Sequence, residues 1–203
     1  MGTASFITLP SDPHLRRWML FVDGENFAIR GKKVADAASV SLPCTKYYEP
    51  NVFLWFPGVP GTKAITNSGP ATIHVQDNAI RAYYYTSVTG DETRVLSVRE
   101  RLWSIGFEPN VFKKNRQQDK AKGVDIALAK DMLSGAFLNN FDVAVLIAGD
   151  GDYVPLVEEV KRLGKIVYVA FFATNGLSLE LRLSSDVFFD FEPFLRERFK
   201  PDN

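Results

Sequence analysis

Val143-Ala144-Val145-Leu146-Ile147-Ala148-Gly149-Asp150-Gly151-Asp152 is the stretch on which the fold turns. An unbroken apolar run of this length, stopped by glycines, reads as a strand buried on both faces, as strands of a parallel sheet are. A helix is expected from Tyr153 to Leu163, ended by Gly164, because glycine tolerates the backbone that follows a last helical turn. Ile166 to Phe172 is the next strand. Upstream, Trp18-Met19-Leu20-Phe21-Val22 is a second unbroken run and ends on Asp23-Gly24-Glu25-Asn26.

Working outward, Phe27 to about Lys33 opens a helix, and Ala79–Tyr85 reads as a strand. A helix is expected over Glu92–Ser104, a weaker strand over Phe107–Phe112, and a helix over Gly123–Leu138. Such alternation implies right-handed crossovers and an α/β fold whose mostly parallel sheet carries helices on both faces. Residues 1–17 read as an N-terminal arm, 18–175 as one domain, and 176–203 as a C-terminal extension packed on it. Residues 34–77, rich in proline and aromatics, read as an insertion in that domain.

The 203 residues suit one compact domain of this kind. Lys plus Arg is 24 and Asp plus Glu is 24, so the formal net charge is zero. That argues against coating nucleic acid by charge alone, though it leaves room for a local basic patch. No apolar stretch is long enough to span a membrane, and the first residues lack a signal-peptide core. With Cys44 as the one cysteine, a reducing, cytoplasmic location is the expectation.

Ligand sites in open parallel sheets form at the carboxyl ends of the strands. Asp23, Asp150 and Asp152 all emerge there. Carboxylates gathered at a dry edge repel one another, and protonation, a basic partner or a bound cation relieves them. Magnesium suits such oxygen sites. Each residue also has a plainer reading: Asp152 as a helix cap with Pro155 in the first turn, and Asp150 and Asp23 as turn residues. Asp125 falls on the same helical face as Leu128, Ala129, Met132 and Ala136, where a carboxylate needs a partner; it equally suits a helix dipole. Asp131 fits a pairing with a nearby lysine better than a metal. Lys113, Lys114, Arg116, Lys120 and Lys122 suit a phosphodiester backbone or a solvated loop. The aromatics at 53–56 suit base stacking, or, more simply, a hydrophobic cluster or partner contact. His14 and His74 have no ligand-like spacing, and neither a phosphate-binding Walker loop nor a Gly-x-Ser-x-Gly elbow occurs.

Four blocks together resemble a known family. They are Leu20-Phe21-Val22-Asp23-Gly24-Glu25-Asn26, Lys122-Gly123-Val124-Asp125-Ile126-Ala127-Leu128-Ala129-Lys130-Asp131-Met132-Leu133, Ala148-Gly149-Asp150-Gly151-Asp152-Tyr153-Val154-Pro155-Leu156, and Gly164-Lys165 before a strand. Their order and spacing resemble the NYN domain family, the LabA-like branch of the PIN-like nucleases, over roughly residues 18–30 and 78–172. The resemblance implies a PIN-like three-layer sandwich with strand order 3-2-1-4-5 and a Mg2+- or Mn2+-dependent ribonuclease site. On matching positions, Asp23, Asp125, Asp150 and Asp152 are the metal-binding acids, Asn26 is a polar companion, and Asp131 is a motif residue of less defined role.

The leading expectation is an endoribonuclease that cleaves RNA phosphodiesters with a metal-activated water. Lys113, Lys114, Arg116, Lys120 and Lys122 would hold the RNA backbone. The rival is a non-catalytic RNA-binding or regulatory module with a vestigial acidic site, since many relatives in this family lack demonstrated activity. A haloacid-dehalogenase-type phosphatase would carry Asp-x-Asp after its first strand, whereas this chain has Asp23-Gly24-Glu25. Residues 34–77 are expected to be a substrate-side flap or the contact of a homodimer.

Overall fold

The computed structural model describes residues 17–42, 44–56, 79–115 and 123–198. Six parallel strands form the central sheet: β1 (Trp18–Asp23), β4 (Arg81–Thr89), β5 (Glu108–Lys114), β6 (Val143–Ile147), β7 (Ile166–Phe171) and β8 (Val187–Asp190). Their spatial order is β5-β4-β1-β6-β7-β8. Two short strands, β2 (Tyr48–Glu49) and β3 (Phe53–Leu54), pair only with each other in a small antiparallel hairpin. Without that hairpin the order is the expected 3-2-1-4-5, extended by a sixth strand from the C-terminal segment.

The apolar runs bury both faces for the reason their sequence suggests: alternate side chains point to opposite sides of the sheet. Trp18, Leu20 and Val22 of β1, with Val143, Val145 and Ile147 of β6, enter one core. Met19 and Phe21, with Ala144 and Leu146, enter the other. Each large side chain so buried contributes about 1.5–3 kcal/mol.

Helices α1 (Gly24–Ala37) and α2 (Glu92–Ser104) cover the first face; α3 (Val124–Phe137) and α4 (Val154–Arg162) cover the second. The helix expected from Phe27 begins earlier, directly on Asp23, and runs into the segment read as an insertion. Helix α2 has the expected bounds, because Asp91 caps it by accepting from the Arg94 amide. On α3 the buried stripe is Val124, Leu128, Met132, Gly135 and Ala136, while Asp125 is exposed at the helix rim rather than lying within that apolar face.

The aromatics of 44–56 belong to the core. Phe53, Trp55 and Phe56 are essentially inaccessible, so they are not a base-stacking surface. Trp55 meets Phe107 edge-on at 4.8 Å, and Phe56 packs on Phe27. Central-strand polar groups hold the hairpin. The Tyr84 hydroxyl donates to the Leu54 carbonyl and accepts from its amide, each at 3.0 Å, and Thr86 donates to the Val52 carbonyl. Glu49 pairs with both Arg94 and Arg101 of α2. At the other sheet edge, α5 (Leu179–Ser184) leads into β8, and α6 (Glu192–Arg198) follows. Phe191 packs against Phe27 at 5.4 Å. No helix among the described residues is long and apolar enough to cross a membrane.

Candidate functional site

The parallel pairing of β1 and β6 puts Val22 beside Ile147, so the residues that follow both strands leave the sheet at one edge. Asp23 is the last residue of β1 and adjoins Tyr85 of β4. Gly24 turns the chain into α1. A Cβ there would stand 1.8 Å from the Tyr84 ring, so close approach, rather than turn chemistry alone, demands glycine in Asp-Gly. Gly149 is fixed similarly: its Cβ would meet the Gly176 carbonyl at 2.3 Å and Phe171 at 2.4 Å.

Asp23 is only 6% exposed, and its carboxyl is pushed up to about 7. Burial is the largest cause, followed by the nearby charge of Asp125, with Asp150 a smaller contributor. The backbone amide and side chain of Asn26 act in the opposite direction and favour the ionised form, although Asp23 makes no formed side-chain cap to α1. Three of the expected acids therefore share one electrostatic neighbourhood. Among the described residues no lysine or arginine forms an ion pair with any of them.

Tyr153 completes this neighbourhood. Its hydroxyl donates to Asp125 Oδ1 at 3.1 Å. Its ring is buried, and burial, then the charges of Asp23, Asp125 and Asp150, raise its phenol above the usual tyrosine range. In the sequence Tyr153 is merely the aromatic after Asp152, and nothing local assigns its hydroxyl a partner. Asp150 accepts from the Asp152 amide at 3.1 Å and so caps the 3-10 turn Gly151–Tyr153. The capping role considered for Asp152 therefore falls to Asp150. Asp152 is exposed, and α4 starts without a side-chain cap. Asp131 accepts from the Tyr85 hydroxyl at 2.9 Å and pairs with Lys130 at 3.0 Å, as its expected lysine pairing requires.

Beside the acids lies a polar cluster invisible in the sequence. Glu25 accepts from Ser87 of β4 and from Lys114 of β5. Lys114 is a strand residue, 5% exposed and held inward by this pair, which corrects its reading as a cation on a basic loop. Lys113 also belongs to β5; it is exposed and lies 3.7 Å from Glu92. Arg116, Lys120 and Lys122 lie outside the described residues.

The donor chemistry suits a hard divalent cation: the acids offer oxygen, and buried Asp23 faces two like charges with no cation paired to it among the described residues. Among the described residues, however, no three Asp, Glu, His or Cys side chains stand close enough together to hold an ion. Magnesium-type sites need few protein ligands, because the ion keeps several waters.

A six-stranded parallel α/β sheet with acids gathered at the carboxyl ends of its two middle strands has the form of a PIN-like nuclease. A model of the NYN domain matches residues 17–192, and the chain belongs to that family, within the PIN-like superfamily. The match takes in the segment 34–77 and β8. A crystal structure of a Vibrio parahaemolyticus protein of unknown function is similar, at 20% identity and a TM-score of 0.58, covering 88% of this chain and 94% of that one. At that identity the likeness speaks for the fold. No curated protein matches.

Proposed function

We propose that this protein is a metal-dependent endoribonuclease that cleaves RNA phosphodiesters by attack of water. The observation that most supports this reading is Asp23, a carboxyl destabilised as an anion by burial, then by Asp125 and Asp150, with no cation paired to it among the described residues. Asp23, Asp125 and Asp150 would hold Mg2+ or Mn2+, with exposed Asp152 as a further oxygen donor. When bound, such an ion supplies a nucleophilic water near neutral pH and offsets charge on the phosphate.

The chain's own residues prepare the site. Asn26 favours the ionised form of Asp23, the Tyr153 hydroxyl donates to Asp125, and the Asp152 amide donates to Asp150. Labelled single-stranded RNA incubated with Mn2+, Mg2+ or EDTA tests the reading. Internal cleavage is expected with metal and not with EDTA, leaving a linear phosphate on one product and a hydroxyl on the other. Cleavage in EDTA, or 2′,3′-cyclic phosphate ends that report attack by the ribose hydroxyl, would overturn it.

One observation favours a second reading, a non-catalytic RNA-binding module: no three donors among the described residues stand close enough together to hold an ion. RNA binding indifferent to metal, with no cleavage, would select it.

A further inference from the structure

Arg30 lies one helical turn beyond Asn26 on α1. Its Nε donates to Asn26 Oδ1 and one terminal nitrogen donates to Asn175 Oδ1, each at 3.4 Å. Both bonds are at the long limit of hydrogen bonding, and both acceptors are neutral. Among the described residues no carboxylate pairs with this half-buried guanidinium. Arginine is always charged and carries five donors in a planar fork. Its two bonds to described residues use only part of that capacity.

The surroundings connect Arg30 to the acidic edge. A Cβ on Gly176, which has φ +83°, would come within 2.5 Å of Arg30 Nε, so the guanidinium lies against bare backbone. The Gly176 carbonyl in turn stands 2.3 Å from the Cβ position of Gly149, the residue before Asp150. On its other side Arg30 reaches Asn26, which favours ionised Asp23. Contacts thus run from Asp23 through Asn26, Arg30, Gly176 and Gly149 to Asp150. An arginine fork with no ion-pair partner among the described residues sits beside a centre whose own groups are acidic.

A structural tether would be expected to use short bonds to charged acceptors, which are about twice as strong as neutral ones. We propose instead that Arg30 is a phosphate-binding residue, gripping non-bridging oxygens of an RNA phosphodiester on the β7 side of the acidic edge. The proposal rests on the ribonuclease reading for the identity of its ligand. It adds a specific anion site to an edge that otherwise repels the RNA backbone, and it assigns that site to α1 rather than to the basic stretch 113–122.

The test is binding of a fluorescein-labelled single-stranded RNA in EDTA across a salt series, for the wild type, Arg30→Gln and Arg30→Lys. Loss of one phosphate contact on a single strand should make the slope of log Kd against log salt shallower by about 0.7. It should also weaken binding several-fold at low salt, whatever the RNA sequence. Arg30→Lys keeps the charge and should restore the slope while recovering only part of the affinity, because lysine lacks the fork. A tethering role would change the unfolding midpoint without changing the slope. RNA binding with an unchanged slope in Arg30→Gln overturns the role of Arg30 and leaves the ribonuclease reading intact. No RNA binding by the wild type, together with no cleavage in metal, overturns both. An acidic peptide competing as well as RNA would also overturn the phosphate assignment.

Discussion

Replacing Asp23 by asparagine should make the metal-free protein more stable at neutral pH, and the gain should grow with pH. Burial first, then Asp125, raise the Asp23 carboxyl from 3.8 to about 7. The folded state therefore holds its proton more tightly than the unfolded state. Asp23 contributes stability that is fully present below about pH 4 and is lost as pH rises through about 7. The slope is about 1.4 kcal/mol per pH unit. Between pH 5 and 8 the total comes to roughly 3 kcal/mol. An asparagine amide cannot ionise, so the Asp23→Asn variant lacks this loss. Urea unfolding in EDTA at a series of pH values measures the difference. The variant's advantage is expected to rise by ~3 kcal/mol from pH 5 to 8 and to level off above that. A difference that stays flat within ~1 kcal/mol from pH 5 to 8 would refute it.

Other substitutions probe the supports of the site. Tyr153→Phe keeps the buried ring and removes the bond to Asp125, so Mn2+ affinity measured by calorimetry should fall about 10- to 100-fold, as for lost partners of metal ligands. Its unfolding midpoint should stay within a few degrees. Gly24→Ala drives a Cβ into the Tyr84 ring and should cost about 1–3 kcal/mol or more of stability by urea unfolding. Lys114→Met strands Glu25 with Ser87 alone; a loss of ~2–3 kcal/mol is expected, with part of it recovered when Glu25→Gln is added in a double-mutant cycle.

The sheet was legible because its central strands are buried on both faces. Residues 18–22 and 143–148 could therefore show no alternation, and an unbroken apolar run has few other readings. The edge acids followed from strand direction alone, since parallel neighbours must release Asp23 and Asp150 on the same side. The less legible features depend on tertiary neighbours. Lys114 looked like part of a basic loop, yet a half-buried Glu25 from the distant start of α1 holds it inward. Tyr153 and Ser87 supply hydroxyls whose acceptors are 28 and 62 residues away. The 44–56 segment gave no strand signal because its strands are two residues each. Its order comes from Tyr84, Thr86 and Glu49 instead. Arg30 gave no signal in the sequence, because what a cation pairs with is known only once its surroundings are.

Asp150→Asn, prepared beside the wild type and incubated with labelled single-stranded RNA in Mn2+, tests the central claim most directly. Asp150 is exposed at the sheet edge, and an amide oxygen can still accept from the Asp152 amide, so the variant should fold with an unchanged unfolding midpoint. The account predicts RNA cleavage by the wild type that EDTA abolishes, and none by the variant. Equal cleavage by both proteins would contradict it.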